Sequence, residues 1–188
     1  AGGKRPLLLS HGWPGSVREF WHVAEPLAFP SRHGGRAEDA FDLVIPSLPN
    51  FGFSAKPEQT VGQRQTADLF HAVMTEVLGY PRFRAHGGDW GAIISRELAV
   101  QFPSRVSGIH VTMLASAVAR TPADLAELPD QELGRRSLEK GQAFSASGTG
   151  YAIIQATKPQ TLAYGLHDSP AGQLAWIAEK FRSFSNTS

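Results

Sequence analysis

Five residues between a short apolar run and a helical pattern decide the fold: Gly87-Gly88-Asp89-Trp90-Gly91. The pattern is Gly-x-nucleophile-x-Gly, in which small flanking residues allow a sharp turn from a strand into a helix. Such a turn lifts the central side chain above the sheet edge and places the next backbone N–H at a helix start. The central residue is Asp89, whose carboxylate can attack carbon and form an ester. The same residues also suit a glycine-rich turn in which Asp89 only caps the following helix.

A second motif, Ser10-His11-Gly12-Trp13-Pro14-Gly15, follows the first apolar run of the chain. We expect its turn to direct the Trp13 N–H toward the same point as the Trp90 N–H, whereas Pro14 has no N–H to donate. Two convergent amides of this kind form an oxyanion hole. Alternatively, the segment is an ordinary strand-to-helix loop with Trp13 as core filler. The two motifs together, in this order and at strand ends, favour the catalytic interpretation.

Four apolar runs closed by turn residues indicate buried strands, at residues 7–9, 41–45, 83–86 and 106–113. Helical spacing lies between them, so that strand and helix alternate from Pro6 to about Met113. Alternation predicts an α/β fold, with a mostly parallel sheet covered by helices on both faces. Residues 129–146, 151–158 and 171–184 are compatible with helices. We therefore predict a partial core domain over 1–113 and an incomplete helical lid over 114–188.

Composition excludes several classes of function. The 188 residues carry 18 Lys or Arg and 17 Asp or Glu, and this balance offers no electrostatic surface for nucleic acid. The absence of Cys excludes disulfides, thiolate metal sites and a cysteine nucleophile. No apolar run approaches the roughly 20 residues of a membrane span, and no signal peptide is recognisable. No histidine pair has the spacing of a zinc site. The sequence predicts a cytoplasmic protein that uses neither a cofactor nor a metal.

In its motifs the chain resembles α/β-hydrolases of the epoxide hydrolase type, nearest the microsomal and juvenile-hormone branch. The resemblance runs over nearly the whole chain, and its most specific motifs lie in the helical region. It rests on His11-Gly12-Trp13-Pro14-Gly15-Ser16, Pro46-Ser47-Leu48-Pro49, Phe51-Gly52-Phe53-Ser54, Gly87-Gly88-Asp89-Trp90-Gly91, Gly150-Tyr151, Gln155-Ala156-Thr157-Lys158-Pro159, Asp168-Ser169-Pro170, Trp176-Ile177 and Glu179-Lys180-Phe181.

The resemblance implies a two-step reaction of a small hydrophobic epoxide with water. Asp89 would open the epoxide to an alkyl-enzyme ester, while Tyr151 would donate a hydrogen bond or a proton to the departing oxygen. Water would then release a vicinal diol, with the Trp13 and Trp90 N–H groups holding the oxyanion. Trp13, Trp90 and Phe51 would contact the substrate. The residues alone would also allow Tyr151 to be a core aromatic whose hydroxyl reaches the surface.

The sequence offers no clear candidate for the general base that this family uses. Activating the hydrolytic water takes a histidine oriented by a carboxylate. His110 falls in the fourth predicted strand, where we expect a core histidine, and His167 lies beside Asp168 in a predicted lid turn. The second lid tyrosine and the strands before Pro6 are also missing. We expect an incomplete chain that is alkylated but hydrolyses the ester poorly. Its exposed sheet edges would favour a homo-oligomer or a complementing chain.

A smaller departure is Asn50, which stands where the family usually has glycine. Asn tolerates left-handed backbone better than most residues, so we expect the turn to be kept.

Two further interpretations stay open. Haloalkane dehalogenases also use Asp followed by Trp, although their second halide donor, often Asn, would stand where this chain has Trp13. A non-catalytic remnant that binds a hydrophobic ligand or a partner chain would account for the missing base. Halide release, diol formation and a covalent adduct on Asp89 distinguish the three.

Overall fold

The computed structural model describes residues 5–113, 122–126 and 128–185. The chain divides into two compact units, Ala1–Ala115 and Ser116–Ser188. The expected start of the helical region at Leu114 lies outside the described residues.

The first unit is built on a four-stranded parallel sheet with the order β2-β1-β3-β4. Its strands are β1 (Arg5–Ser10), β2 (Phe41–Val44), β3 (Phe83–Gly87) and β4 (Val106–Val111). All four predicted strands and their parallel arrangement are confirmed. Ser10 at the end of β1 pairs with Gly87 at the end of β3. The loops that follow these two central strands therefore begin side by side.

Three helices connect the strands: α1 (Trp21–Ala28), α2 (Gln63–Ala72) and α3 (Asp89–Gln101). A 3₁₀ turn at Val17–Phe20 precedes α1, and its start is capped by the Ser16 hydroxyl, which accepts a hydrogen bond from the Arg18 N–H. The helical segment predicted between the first two strands is thus divided between this turn and α1. A π-helical turn at Val73–Val77 extends α2.

Side chains alternate between the two faces of the sheet, as they do in any strand. One face is closed by α2 and α3, and its core contains a cluster of buried apolar residues that includes Leu8, Phe70, Met74, Phe83, Ala85, Ile94, Leu98 and Val106. The other face carries a smaller cluster of Leu7, Leu9 and Phe20. Beside it lies an open-sided cavity of about 610 Å³, lined in part by His86 and His110. The sheet is therefore covered unevenly.

The second unit is helical over its described residues, with α4 (Pro122–Ala126), α5 (Gln131–Ala143), α6 (Gly150–Thr157), α7 (Pro159–Asp168) and α8 (Pro170–Phe184). Of these, α5, α6 and α8 were predicted, whereas α4 and α7 were not. The expected turn at His167 and Asp168 is wrong, because both residues form the last turn of α7. A single residue, Lys158, lies between α6 and α7, and a single residue, Ser169, lies between α7 and α8. A proline occupies the first position of α7 and of α8, where its missing N–H costs nothing.

No helix of the described residues is both long enough and apolar enough to cross a bilayer.

Candidate active site

Asp89 stands on the sharp turn from β3 into α3. Its φ of 47° lies in the left-handed region, which residues other than glycine rarely adopt. Such a conformation costs roughly 1–3 kcal/mol and persists only where the surroundings impose it. Gly88, with extended backbone, occupies the N-cap of α3. The alternative in which Asp89 only caps the helix is therefore wrong.

Backbone contacts impose this turn. A Cβ atom on Gly91 would overlap the Ser10 carbonyl oxygen and lie 2.6 Å from its carbon, and a Cβ on Gly87 would overlap the Gly91 carbonyl group. The end of β1, the end of β3 and the first turn of α3 thus touch without side chains between them. A Cβ on Gly12 would lie 2.5 Å from the Cβ of Asp89. Glycine at these positions is what allows Asp89 to approach the loop after β1.

The Trp13 N–H donates a hydrogen bond to Asp89 Oδ1 at 2.8 Å. Bonds from an amide to a carboxylate are about twice as strong as those between neutral groups. Asp89 Oδ2 accepts no hydrogen bond from the described residues. The Asp89 side chain is exposed, so Oδ2 is the oxygen open to an incoming group.

Trp90 is the second predicted amide donor. It follows Asp89 in the first turn of α3, where backbone N–H groups have no carbonyl partner within the helix. Its indole ring lies 5.9 Å from that of Trp13, with an angle of 35° between the ring planes. Asp89, Trp13 and Trp90 are thus assembled at one place, at the carboxyl ends of β1 and β3.

Phe51 reaches the same region from the loop after β2. Its half-buried ring packs against the apolar core and meets the His11 ring edge to face at 5.5 Å. Two residues of this loop, Asn50 and Gly52, have φ values of 69° and 49°. The expectation that Asn50 sustains a left-handed turn is confirmed.

The sequence profile of a family described as the alpha/beta hydrolase fold matches residues 5–137. The chain belongs to this family.

Similar proteins from the same hydrolase family have names that specify a reaction. The chain is 44% identical over 181 residues to a protein of Stigmatella aurantiaca, provisionally named an epoxide hydrolase, covering 96% of this chain and 40% of that protein. It is 36% identical over 197 residues to epoxide hydrolase 1 of Oryctolagus cuniculus, covering 97% and 43%. The crystal structure of juvenile hormone epoxide hydrolase from Bombyx mori matches with a TM-score of 0.61 and 38% identity, covering 94% and 38%. The chain therefore spans about two fifths of the length of these relatives.

Tyr151 belongs to the second unit. It is the second residue of α6 and is half-buried. Its ring meets the edge of Phe184 at 5.8 Å, and the Lys180 ammonium lies 4.6 Å from the ring centre. Tyr151 is not among the residues gathered around Asp89 within the first unit.

None of the seven histidines, all of which lie in the described ranges, is hydrogen-bonded to Asp89. His167 is exposed on α7. His110 is exposed on β4, so the expectation of a core histidine is wrong. It pairs with His86 across the open face of the sheet, with 2.8 Å between the two Nδ1 atoms. The pKa of His86 is lowered overall, and burial is the largest cause. A hydrogen bond to the His110 carbonyl raises this pKa, and the charge of His110 lowers it.

One residue of the site was missed as a functional candidate. His11 is fully buried, and both of its ring nitrogens are hydrogen-bonded to backbone. The sequence shows a histidine between a buried strand and a glycine, next to the Trp13 donor. That position was visible, but its bond to the distant loop after β2 was not.

Proposed function

We propose that this chain carries the nucleophilic half of an epoxide hydrolase, with Asp89 as the attacking group. The observation that carries the proposal is the Asp89 carboxylate, held on a left-handed turn with the Trp13 N–H on Oδ1 at 2.8 Å. The similarity to proteins named epoxide hydrolases supports the choice of substrate.

The first step is ring opening. Asp89 Oδ2 attacks one epoxide carbon, a new C–O ester bond forms, and the bond between that carbon and the ring oxygen breaks. The ring oxygen leaves with the electron pair and takes a proton from the Tyr151 hydroxyl, and the resulting phenolate regains a proton from water. Correctly positioned acids contribute about 10²–10⁴-fold to such steps.

The second step is hydrolysis of the ester. Water adds to the Asp89 carbonyl carbon and gives up a proton to the hydroxide left when the Tyr151 phenolate was reprotonated, and the negative charge collects on Oδ1. The Trp13 N–H already donates to that oxygen, and the Trp90 N–H is the proposed second donor. Collapse of the intermediate breaks the bond between carbonyl carbon and alkyl oxygen. The leaving alkyl oxygen takes the proton of the hydroxyl group that came from water, which releases the vicinal diol and restores the carboxylate.

No group among the described residues is assigned as the base that activates this water. His110 is engaged with His86, and none of the seven histidines is hydrogen-bonded to Asp89 among the described residues. We therefore propose that the ester forms readily and persists in this 188-residue protein. The substrate would be a small apolar epoxide, because Trp13, Trp90 and Phe51 offer aromatic surface.

The test is intact-mass spectrometry of the chain after incubation with styrene oxide, followed by peptide mapping. We expect the parent to gain the mass of one epoxide on the peptide that contains Asp89, and Asp89→Asn to gain none. Asp68→Asn is the matched control, since Asp68 is an exposed carboxylate on α2. It should be alkylated as fast as the parent.

The other outcomes are equally informative. Diol without a lasting adduct would keep the epoxide reaction but overturn the persistent ester. An adduct that survives in Asp89→Asn would assign the chemistry to another group. A folded parent that gives neither adduct nor diol would overturn the proposed function.

A further inference from the structure

His11 holds together the two loops that border Asp89. Its Nδ1 lies 2.8 Å from the carbonyl oxygen of Gly12, and its Nε2 lies 3.0 Å from the backbone nitrogen of Leu48. The first contact is in the loop after β1, and the second is in the loop after β2. The ring itself is fully buried.

These partners determine which ring nitrogen carries the proton. A backbone N–H can only donate, so Nε2 must accept from Leu48 and is unprotonated. A carbonyl oxygen can only accept, so Nδ1 carries the hydrogen and donates to Gly12. The hydrogen-bond network thus assigns the neutral Nδ1–H tautomer to His11.

The bond to Gly12 reaches the nucleophile through a single peptide group. The Gly12 carbonyl and the Trp13 N–H belong to one planar trans peptide unit, in which oxygen and hydrogen point in opposite directions. Holding the oxygen toward His11 therefore aims the N–H away from it. In that direction lies Asp89 Oδ1, 2.8 Å from the Trp13 nitrogen.

We propose that His11 is a positioning residue, which aims the Trp13 N–H at Asp89 through the Gly12 carbonyl. The hydrogen bonds run in one sense, from Leu48 to His11, then from His11 to the Gly12–Trp13 peptide, and then to Asp89. Hydrogen bonds arranged in such a chain polarise one another. The catalytic part of this inference rests on the proposed hydrolase reaction. In that reaction, the series of hydrogen bonds ends on Asp89 Oδ1, the oxygen that becomes the oxyanion. His11 touches no substrate.

Two substitutions divide the function of the ring between its nitrogens. The amide nitrogen of Asn stands as far from Cβ as Nδ1, so His11→Asn can keep the donor to Gly12 and loses the acceptor for Leu48. The amide oxygen of Gln stands as far from Cβ as Nε2, so His11→Gln keeps the acceptor and loses the donor. Both bury one amide in place of the ring. A merely structural histidine should be replaced equally well or equally badly by the two.

The experiment measures the rate at which the styrene oxide adduct is lost by hydrolysis, and the Trp13 amide ¹H chemical shift, in the parent and both variants. We expect His11→Gln to slow loss of the adduct by about tenfold or more, the range of one charge-assisted hydrogen bond to the oxyanion, and to lose the downfield shift of the Trp13 amide. His11→Asn should stay within about threefold of the parent and keep the shift. Equal rates and unchanged Trp13 shifts in the two variants would overturn the proposal.

The two readouts separate this inference from the proposed function. If the parent is not alkylated but His11→Gln alone alters the Trp13 amide, His11 positions the amide and the proposed reaction is wrong. The ¹⁵N spectrum of the parent imidazole requires no variant. A protonated Nδ1 supports the chain of hydrogen bonds, and an Nε2–H tautomer overturns it even if neither variant folds.

Discussion

The two units of the chain differ in how deeply their apolar side chains are buried. In the first unit, Leu8, Ile94 and Leu98 are at most 1% exposed. In the second unit, Gly134 is the one buried residue among those described. There, Leu174 and Phe181 are 67% and 72% exposed. The first unit has a buried apolar core, whereas in the second unit large apolar side chains are exposed.

The two groups proposed for ring opening, Asp89 and Tyr151, differ in the same way. Asp89 is fixed by close backbone contacts within the first unit, which leave no room for a Cβ at Gly87 or Gly91. Tyr151 is placed by helices that bury little surface. Substitutions beside Asp89 should therefore disturb folding and chemistry together, whereas removal of the Tyr151 hydroxyl should affect chemistry without loss of stability.

The largest effect is expected from Gly91→Ala. Its Cβ would overlap the Ser10 carbonyl oxygen, and backbone cannot move aside as a flexible side chain can. We expect a loss of stability above about 4 kcal/mol, the range reserved for severe core disruption. Urea unfolding followed by circular dichroism measures it.

Gly165→Ala is the matched control in the second unit. Gly165 lies inside α7, and an added Cβ would meet nothing within 4 Å. Alanine favours helix over glycine by about 0.5–1 kcal/mol, so this variant should gain stability. A Gly91→Ala protein as stable as the parent would show that the turn is not tightly built.

Tyr151→Phe should come next. The substitution removes only the hydroxyl and keeps the ring against Phe184 and Lys180. If Tyr151 donates to the leaving oxygen, the rate of alkylation by styrene oxide should fall by about 10²–10⁴-fold with unchanged stability. Tyr164→Phe, at an exposed position on α7, is the control. Equal rates in the two variants would remove Tyr151 from the reaction.

A smaller contrast concerns leucines. Leu98 is fully buried between α3 and the sheet, so Leu98→Ala should cost about 2–5 kcal/mol of unfolding free energy. Leu174 on α8 is mostly exposed, and Leu174→Ala should change stability by less than about 0.5 kcal/mol. A large loss at Leu174 would mean that its side chain is covered in solution, as in the expected homo-oligomer or complex. Sedimentation of the parent would then reveal the partner.

Sequence reasoning succeeded where local physics decides. Strand limits follow from apolar runs closed by Gly or Pro, and the nucleophile turn follows from glycines that only close backbone contacts require. The left-handed Asn50 was foreseen on the same ground. The strands and the Asn50 turn depend on neighbours in the chain, whereas Gly91 is also required by the close approach of the Ser10 carbonyl, which is distant in the sequence.

Sequence reasoning failed where distant residues decide. The α7 helix was missed because Pro159, Gly165 and His167-Asp168 suggest a turn, although proline is well suited to a helix start. His110 was expected in the core because its strand is apolar, but β4 is an edge strand with an exposed face. The tie from His11 to Leu48 spans two strands of the sheet and has no local pattern.

The smallest expected effect is a pH dependence confined to the first unit. Burial lowers the pKa of His86 below its ordinary 6.5, so the unfolded chain binds this proton more readily than the folded one. The free energy of unfolding should be constant above about pH 7.5 and should fall as the pH drops through the unfolded pKa toward the folded one. His86→Gln should flatten that fall between about pH 7.5 and 5, while His22→Gln, at an exposed position on α1, should not. Because the second unit holds a single histidine, the exposed His167, its unfolding should be nearly insensitive to pH in this range. An equal acid response in the His86→Gln protein would mean that another group, and not the uneven covering of the sheet, makes the first unit sensitive to acid.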